Sequence, residues 1–298
     1  MIESLKDYLK SKEVAFKENV KLSQHSPVRI GGIAPLVIYP RTVNELIYSV
    51  NLQDISKIPP KILGRKSNIL FADGTLNSIL IDASEVNFIS FSQNEVSVGC
   101  GASIPLLSRL ACSCGLSGFE ELSGIPGSVG GAIVGNAGAF GKEICDVLYS
   151  VIAYDRVSRE LIEFKAYECD FSYRKSLFCN EKFVILSAKL RLSECSGDKI
   201  RNRILTYREK RIKSQPTEPS LGSTFKRPSQ GYAGEMIEKC GLSGFTVGGT
   251  KISEKHAGFI VNIGGATAAD YMALMKLAAD KVYEQFSVKL QPEIKYVN

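Results

Sequence analysis

The sequence has 298 residues, 44% hydrophobic and 23% charged, ordinary values that exclude wholesale disorder and allow one large domain or two modest ones. It holds only two histidines, His25 and His256, which excludes a catalytic centre built on several of them. A net charge of +6 is mild enough to suit an anionic small substrate as readily as nucleic acid.

From the N-terminus, residues 1–20 carry Ile2, Leu5 and Leu9 on one side of an expected amphipathic helix. This start is charged throughout, so no signal peptide is expected and a soluble, cytoplasmic protein is. Residues 34–40 (APLVIYP) predict a short strand. Thr42 predicts the cap of a helix running to about Asn51, with Glu45 completing a capping box. Residues 60–71 predict a strand, a tight turn and another apolar segment, and residues 78–84 a further strand. Segments 87–91 and 95–99 flank Gln93-Asn94 as a hairpin, and Ile104 to Cys114 predicts a helix stopped by Gly115. Leu122 to Gly141 is uncharged and long enough to span a bilayer, but its seven glycines and one proline exclude a stable spanning helix.

Beyond it, residues 149–167 predict a second hairpin and 182–192 a long strand. Asp198 to about Lys213 predicts a basic helix with Ile200, Ile204 and Tyr207 on one face. The break at Glu194-Cys195-Ser196-Gly197 predicts a domain boundary. Thr267 predicts the cap of a helix whose core stripe is Met272, Met275, Ala279, Val282 and Phe286. The final SVKLQPEIKYV alternates, with Val288, Leu290, Ile294 and Tyr296 on one face and Glu293 on the other. The fold class read from this order is α+β, with at least two domains. The eight cysteines contain no C-x-x-C pair and read as mostly free, buried and inert, and no metal site is expected.

Four glycine-bearing segments carry the functional signal: Arg29-Ile30-Gly31-Gly32, Gly64 to Asn68, Gly99-Cys100-Gly101, and Ser123 to Ala132. Glycines let backbone N–H groups approach an anion closely, and several such loops in one chain fit a diphosphate-bearing ligand. Gly99-x-Gly101 has Ile104 where the dinucleotide fingerprint needs a third glycine, and no P-loop motif exists. Arg174 beside Tyr173 suits a carboxylate, and Ser223 follows Gly222 with an accessible hydroxyl. The residues alone give a soluble two-domain protein that binds an anionic, nucleotide-like ligand.

Seven stretches form a further pattern: VRIGGIA (28–34), ILGRKSNIL (62–70), GLSGFEELSGIPGSVGGAIVGNAGAFG (115–141), FSYRKSLF (171–178), QPTEPSLGSTFKRP (215–228), AGEMIEKCGLSGFTVGGTKISEKHAGFIVN (233–262) and LQPEIKYV (290–297). In order and spacing the chain resembles the UDP-N-acetylenolpyruvoylglucosamine reductases, flavoenzymes of peptidoglycan precursor synthesis, and its compact length is similar to their type II branch. The resemblance implies an FAD-binding domain of the vanillyl-alcohol-oxidase (PCMH) type over residues 1–195. Its two subdomains would be about 1–60 and 61–195, with an α+β substrate-binding domain over 196–298.

The resemblance also implies noncovalent FAD, held by Arg29, Ile30, Gly31, Gly32, Gly64, Ser67, Asn68, Gly101, Ser123, Gly124, Ile125, Pro126, Gly127, Gly130 and Gly131. NADPH would reduce the flavin, and UDP-N-acetylglucosamine enolpyruvate would take a hydride at C3 and a proton at C2. Arg174 would stabilise the enolate, Ser223 would deliver the proton, and a protonated Glu293 would assist, since an ionised carboxylate would repel the developing charge. Tyr173 and Lys226 would bind substrate, with no nucleic acid, membrane or protein partner involved. The basic helix reads either as a positive approach for these polyanions or as a solvated face. Lys66 departs from the family, which usually has a second glycine there; if the position needs φ > 0, lysine is strained in it. Arg227 stands where some members have Asn. The alternatives are another oxidoreductase of the flavin superfamily, or a nucleic-acid-binding protein suggested by charge alone.

Overall fold

The computed structural model describes residues 2–56 and 60–298. They form two compact units: Met1–Lys17, Leu36–Arg65 and Ile79–Lys210 make the first, and Glu18–Pro35, Lys66–Ser78 and Arg211–Asn298 the second. The expected subdomain limit near residue 60 abuts residues 57–59, which lie outside the described residues.

The first unit has a parallel ladder in which Val37 and Ile38 pair with Leu80 and Ile81, which pair in turn with Lys61 and Ile62. The paired residues Val37, Ile38, Leu80 and Ile81 are apolar in succession because both faces are covered there. Leu36, Ile38, Leu80 and Ile81 have no exposed surface. A five-stranded antiparallel sheet follows, in the order Leu161–Lys165, Leu148–Asp155, Phe183–Arg191, Glu95–Gly99, Ile89–Ser92. Both expected hairpins are in it, and Gln93 turns the first at φ 52°. Helices Ile104–Ser113 and Val129–Val134 bury Leu107, Ala111, Val129 and Ile133 in the same core.

Thr42 caps Val43–Val50 by accepting the Glu45 N–H. The Glu45 carboxylate takes the Arg41 N–H, so the reciprocal half of the box falls one residue early. The N-terminal helix is shorter than expected. It spans Ile2–Ser11, buries Leu5 and Leu9, and leaves Ile2 exposed. Glu13 at φ 56° and the Val14 N–H on Leu9 C=O close it, and a strand begins at Ala15.

The division at residue 195 is not where the packing divides. Strand Ser193–Glu194 pairs with Leu116–Ser117, and Tyr207 in the basic helix Gly197–Ser214 reaches Glu121 at 2.9 Å and the Phe140 ring at 5.0 Å. The break at Glu194-Cys195-Ser196-Gly197 marks the start of a helix that packs on the first unit. The second unit draws in residues 18–35 and 66–78 because Ile69–Phe71 pairs in parallel with Lys295–Val297. Within it, Asn262 donates to Val28 C=O, and Asp73 caps the N–H groups of Ala268 and Ala269.

Thr267 caps the helix Ala268–Phe286 with a full capping box. Its buried stripe is Tyr271, Leu274, Ala278 and Val282; of the expected set Val282 is buried, Met275, Ala279 and Phe286 pack part-buried on this core, and Met272 is exposed. Tyr271 can be fully buried because its hydroxyl lies 3.5 Å from Thr224 Oγ1. Met272, Met275 and Ala279 line a shallow groove with Phe225, Leu290 and Pro292. The C-terminal segment buries Val288 and Leu290, but only Lys295–Val297 is a strand, and Tyr296 is half exposed. The cysteines also differ from expectation. All eight are free, but only Cys100 and Cys169 are buried, which pushes their thiols up to about 12 and about 11, while Cys114 and Cys179 are exposed. Among the described residues, no helix is long and apolar enough to cross a membrane, and no group of three or more His, Cys, Asp or Glu could hold a metal.

Candidate active site

In the first unit three loops stack on one another. Gly130 N–H bonds Cys100 C=O at 2.8 Å and Val129 N–H bonds Ala102 C=O at 2.9 Å, laying the 123–131 loop along residues 99–103. A side chain at Gly64 would place Cβ 2.2 Å from Ser128 Oγ, one at Gly101 2.1 Å from Ala83 C=O, and one at Gly130 2.9 Å from Cys100 Cβ. These glycines are therefore fixed by chain packing on chain, which brings the loops together. Ser128 caps Val129–Val134 by accepting the Gly131 N–H, and Ser123 Oγ donates to Glu120 C=O at 2.7 Å. Burial pushes the Glu120 carboxyl up. Bonds from the Gly118 N–H and the Ser117 hydroxyl, with the Arg203 charge, outweigh that and hold it below the ordinary range. Arg65, directly after Gly64, has a buried Nε with no hydrogen-bond partner.

Tyr173 and Arg174 occupy a two-residue turn in the same unit. Ser172 and Lys175 exchange both backbone hydrogen bonds at 3.1 Å. Arg174 sits in this turn at φ 55°, with its guanidinium 5.1 Å from the Tyr173 ring centre.

In the second unit, Arg29 lies at φ 58° and Gly31 at φ 143°. A Cβ on Gly32 would fall 1.8 Å from Gly74 C=O. The Ile30 side chain is in the unit's core, so only its backbone is available to a ligand. Ser26 Oγ, three residues before Arg29, is buried without a partner. Lys66 has φ 60°, the left-handed conformation in which a lysine is strained. The structure brings Ser223, Lys226 and Glu293 together. Glu293 N–H bonds Thr224 C=O and Lys226 N–H bonds Gln291 C=O, both at 2.9 Å, around a Phe225–Pro292 bridge. Asn68 Nδ2 donates to Glu293 C=O at 3.0 Å. Gly222 at φ 80° precedes Ser223, which is exposed, while Glu293 is half-buried.

A family model for an FAD binding domain matches residues 34–157, and one for the UDP-N-acetylenolpyruvoylglucosamine reductase C-terminal domain matches residues 215–297. The UDP-N-acetylenolpyruvoylglucosamine reductase of Fervidobacterium nodosum is 40% identical over 93% of this chain and 90% of its own. That of Caldanaerobacter subterraneus subsp. tengcongensis is 37% identical over 100% and 98%. The chain belongs to the UDP-N-acetylenolpyruvoylglucosamine reductase family. The crystal structure of the Thermus caldophilus reductase agrees, with a TM-score of 0.80 and 31% identity over 96% of this chain and 99% of that one. A glucose oxidase variant of Phl p 4 matches 64% of the chain at a TM-score of 0.50 and 12% identity, which shows the fold alone.

The protein is accordingly an enzyme, a flavoprotein oxidoreductase of α+β, PCMH-type fold, and the family's step is the reduction in peptidoglycan precursor synthesis. The residues present fit FAD. The unpartnered Arg65 Nε beside the stacked loops is a cation-bearing donor suited to a diphosphate, and Ser26 Oγ is an unused donor beside the Arg29 loop. Sequence reasoning missed Arg65 as an individual residue, because it sits among Gly64, Ser67 and Asn68 with nothing local to single it out. It also missed Asn136, a polar residue inside an apolar, glycine-rich stretch that is only 1% exposed.

Proposed function

We propose that the chain reduces UDP-N-acetylglucosamine enolpyruvate to UDP-N-acetylmuramate with NADPH as the reductant. FAD held in this site would supply the two-electron hydride chemistry that links NADPH to C3 of the enolpyruvyl group. The loops at Gly64 to Asn68, at Ser123 to Gly131 and at Arg29 to Gly32, with Gly101, hold the cofactor without a covalent bond. Arg174 binds the substrate carboxylate and stabilises the negative charge that spreads onto it. Ser223 gives its proton to C2, and Glu293, carrying its own proton, donates to the enolate rather than repelling it. Tyr173 and Lys226 bind the rest of the substrate. A reaction between two water-soluble nucleotides supports a cytoplasmic enzyme.

The observation that carries this reading is the Glu293 N–H bond to Thr224 C=O at 2.9 Å, which supports a serine donor and a carboxyl acting at one place. Rapid mixing of the Ser223→Ala holoenzyme tests it. Flavin reduction by NADPH needs no acid at C2 and should stay within a few-fold of normal. Reoxidation by the enolpyruvyl nucleotide should slow by about 10²–10⁴, the usual contribution of a positioned acid. Equal slowing of both steps would remove Ser223 from the acid role.

A further inference from the structure

The turn that carries Arg174 is attached to the rest of the first unit at both feet. Asn136 Nδ2 donates to Ser172 C=O at 3.2 Å and to Glu143 Oε2 at 2.7 Å, and its Oδ1 accepts from the Cys145 N–H at 3.4 Å. Both faces of one buried amide are thus engaged, and the Glu143 bond fixes which way the amide points. On the other foot, buried Ser176 donates from Oγ to Val134 C=O at 2.8 Å. Val134 ends, and Asn136 lies just beyond, the helix that Ser128 starts. The Cβ clash of a left-handed arginine at the second position weakens this turn, so its attachments to the rest of the unit add to the Ser172–Lys175 pair in holding it. Cutting the Asn136 bond would release the first foot from the rest of the unit, leaving the Ser172 carbonyl only the Lys175 N–H inside the turn and taking the amide donor from the Glu143 carboxylate.

We propose that Asn136, oriented by Glu143, is a positioning residue for the reaction: it sets the Arg174 guanidinium by holding the Ser172 end of its turn. The assignment rests on the reading of Arg174 as the group that binds the substrate carboxylate. Asn136 itself lies at φ 39°, so Asn136→Gly removes the side chain without adding backbone strain.

The test is a double-mutant cycle on the holoenzymes of wild type, Asn136→Gly, Arg174→Ala and the pair, with both half-reactions followed by rapid mixing. Asn136→Gly should bind FAD fully and leave the NADPH step within about twofold, while slowing reoxidation by the enolpyruvyl nucleotide roughly ten- to a hundredfold, as sub-ångström to ångström misplacement does. In the Arg174→Ala background the same change should slow that step less than about threefold, because the group it positions is gone. A purely structural role would instead slow both steps or act equally in both backgrounds, and either result overturns the proposal. If Arg174→Ala leaves the substrate step unchanged, the Arg174 reading fails, and the positioning role with it. If Arg174→Ala slows the step but Asn136→Gly is fully additive to it, only the positioning role fails.

Discussion

The two units hold their candidate catalytic groups in different ways. In the first, the Arg174 turn is tied down by side chains: Asn136 on Ser172 C=O, Ser176 on Val134 C=O. In the second, Ser223 and Glu293 are held by main-chain bonds, Glu293 N–H to Thr224 C=O and Lys226 N–H to Gln291 C=O, with Asn68 the added side-chain contact. The difference predicts where point substitutions can reach. A main-chain frame survives truncation of the side chains it carries, so losses there should report chemistry. A side-chain frame can be cut by one substitution remote from the substrate, so losses there report geometry.

The largest effect that sharpens this contrast is at Glu293. Glu293→Ala should lower the substrate half-reaction by about 10²–10³, as removal of one donor to a developing oxyanion does. Thermal stability should hardly change, because the backbone bonds remain. Glu293→Gln should be milder, since the amide keeps a donor. A marked fall in stability for either variant would mean that the side chain, not the main chain, holds this part of the second unit.

A smaller effect is expected at Arg65 in the first unit, whose Nε has no partner in the protein. Arg65→Leu should weaken reversible FAD binding by about 10- to 100-fold, equivalent to a charged hydrogen bond of about 1.5–3 kcal/mol. The flavin-free protein should be as stable as wild type or more so, because a buried unpaired nitrogen has been removed. Titration of FAD into apoprotein, paired with thermal melts, measures both. Flavin that acid cannot release would contradict the noncovalent reading, and a destabilised apoprotein would mean that Arg65 packs against the protein itself.

The smallest effect is at Lys66, at φ 60°. Lys66→Gly should raise stability by about 1 kcal/mol from relief of the left-handed strain, less the greater freedom of glycine when unfolded. A lower melting temperature with unchanged FAD affinity would show that Lys66 makes interactions worth more than its strain.

Local signals in the sequence led to local structure. Thr42 and Thr267 cap the helices they were expected to cap, and Gln93 turns the expected hairpin, because caps and turns depend on neighbours a few residues away. What depends on distant partners was not legible. The second unit gathers residues 18–35 and 66–78 through the pairing of Ile69–Phe71 with Lys295–Val297, and no composition shift marks such a long-range contact. On Ala268–Phe286 Val282 was legible, but the centre of the stripe was set one residue late because Tyr271 looks half-polar until Thr224 supplies a neighbour for its hydroxyl. The motif residues Ser223 and Glu293 were legible by resemblance and share one backbone frame. Asn136 was not, since its partners Glu143 and Ser172 are revealed only by folding.

The most direct test of the central claim is an anaerobic sequential-mixing experiment on the purified holoenzyme. NADPH should bleach the flavin band. UDP-N-acetylglucosamine enolpyruvate, added without oxygen, should then restore it, with one lactyl ether formed per flavin reoxidised. A flavin that NADPH reduces but that stays bleached until oxygen enters would contradict the account.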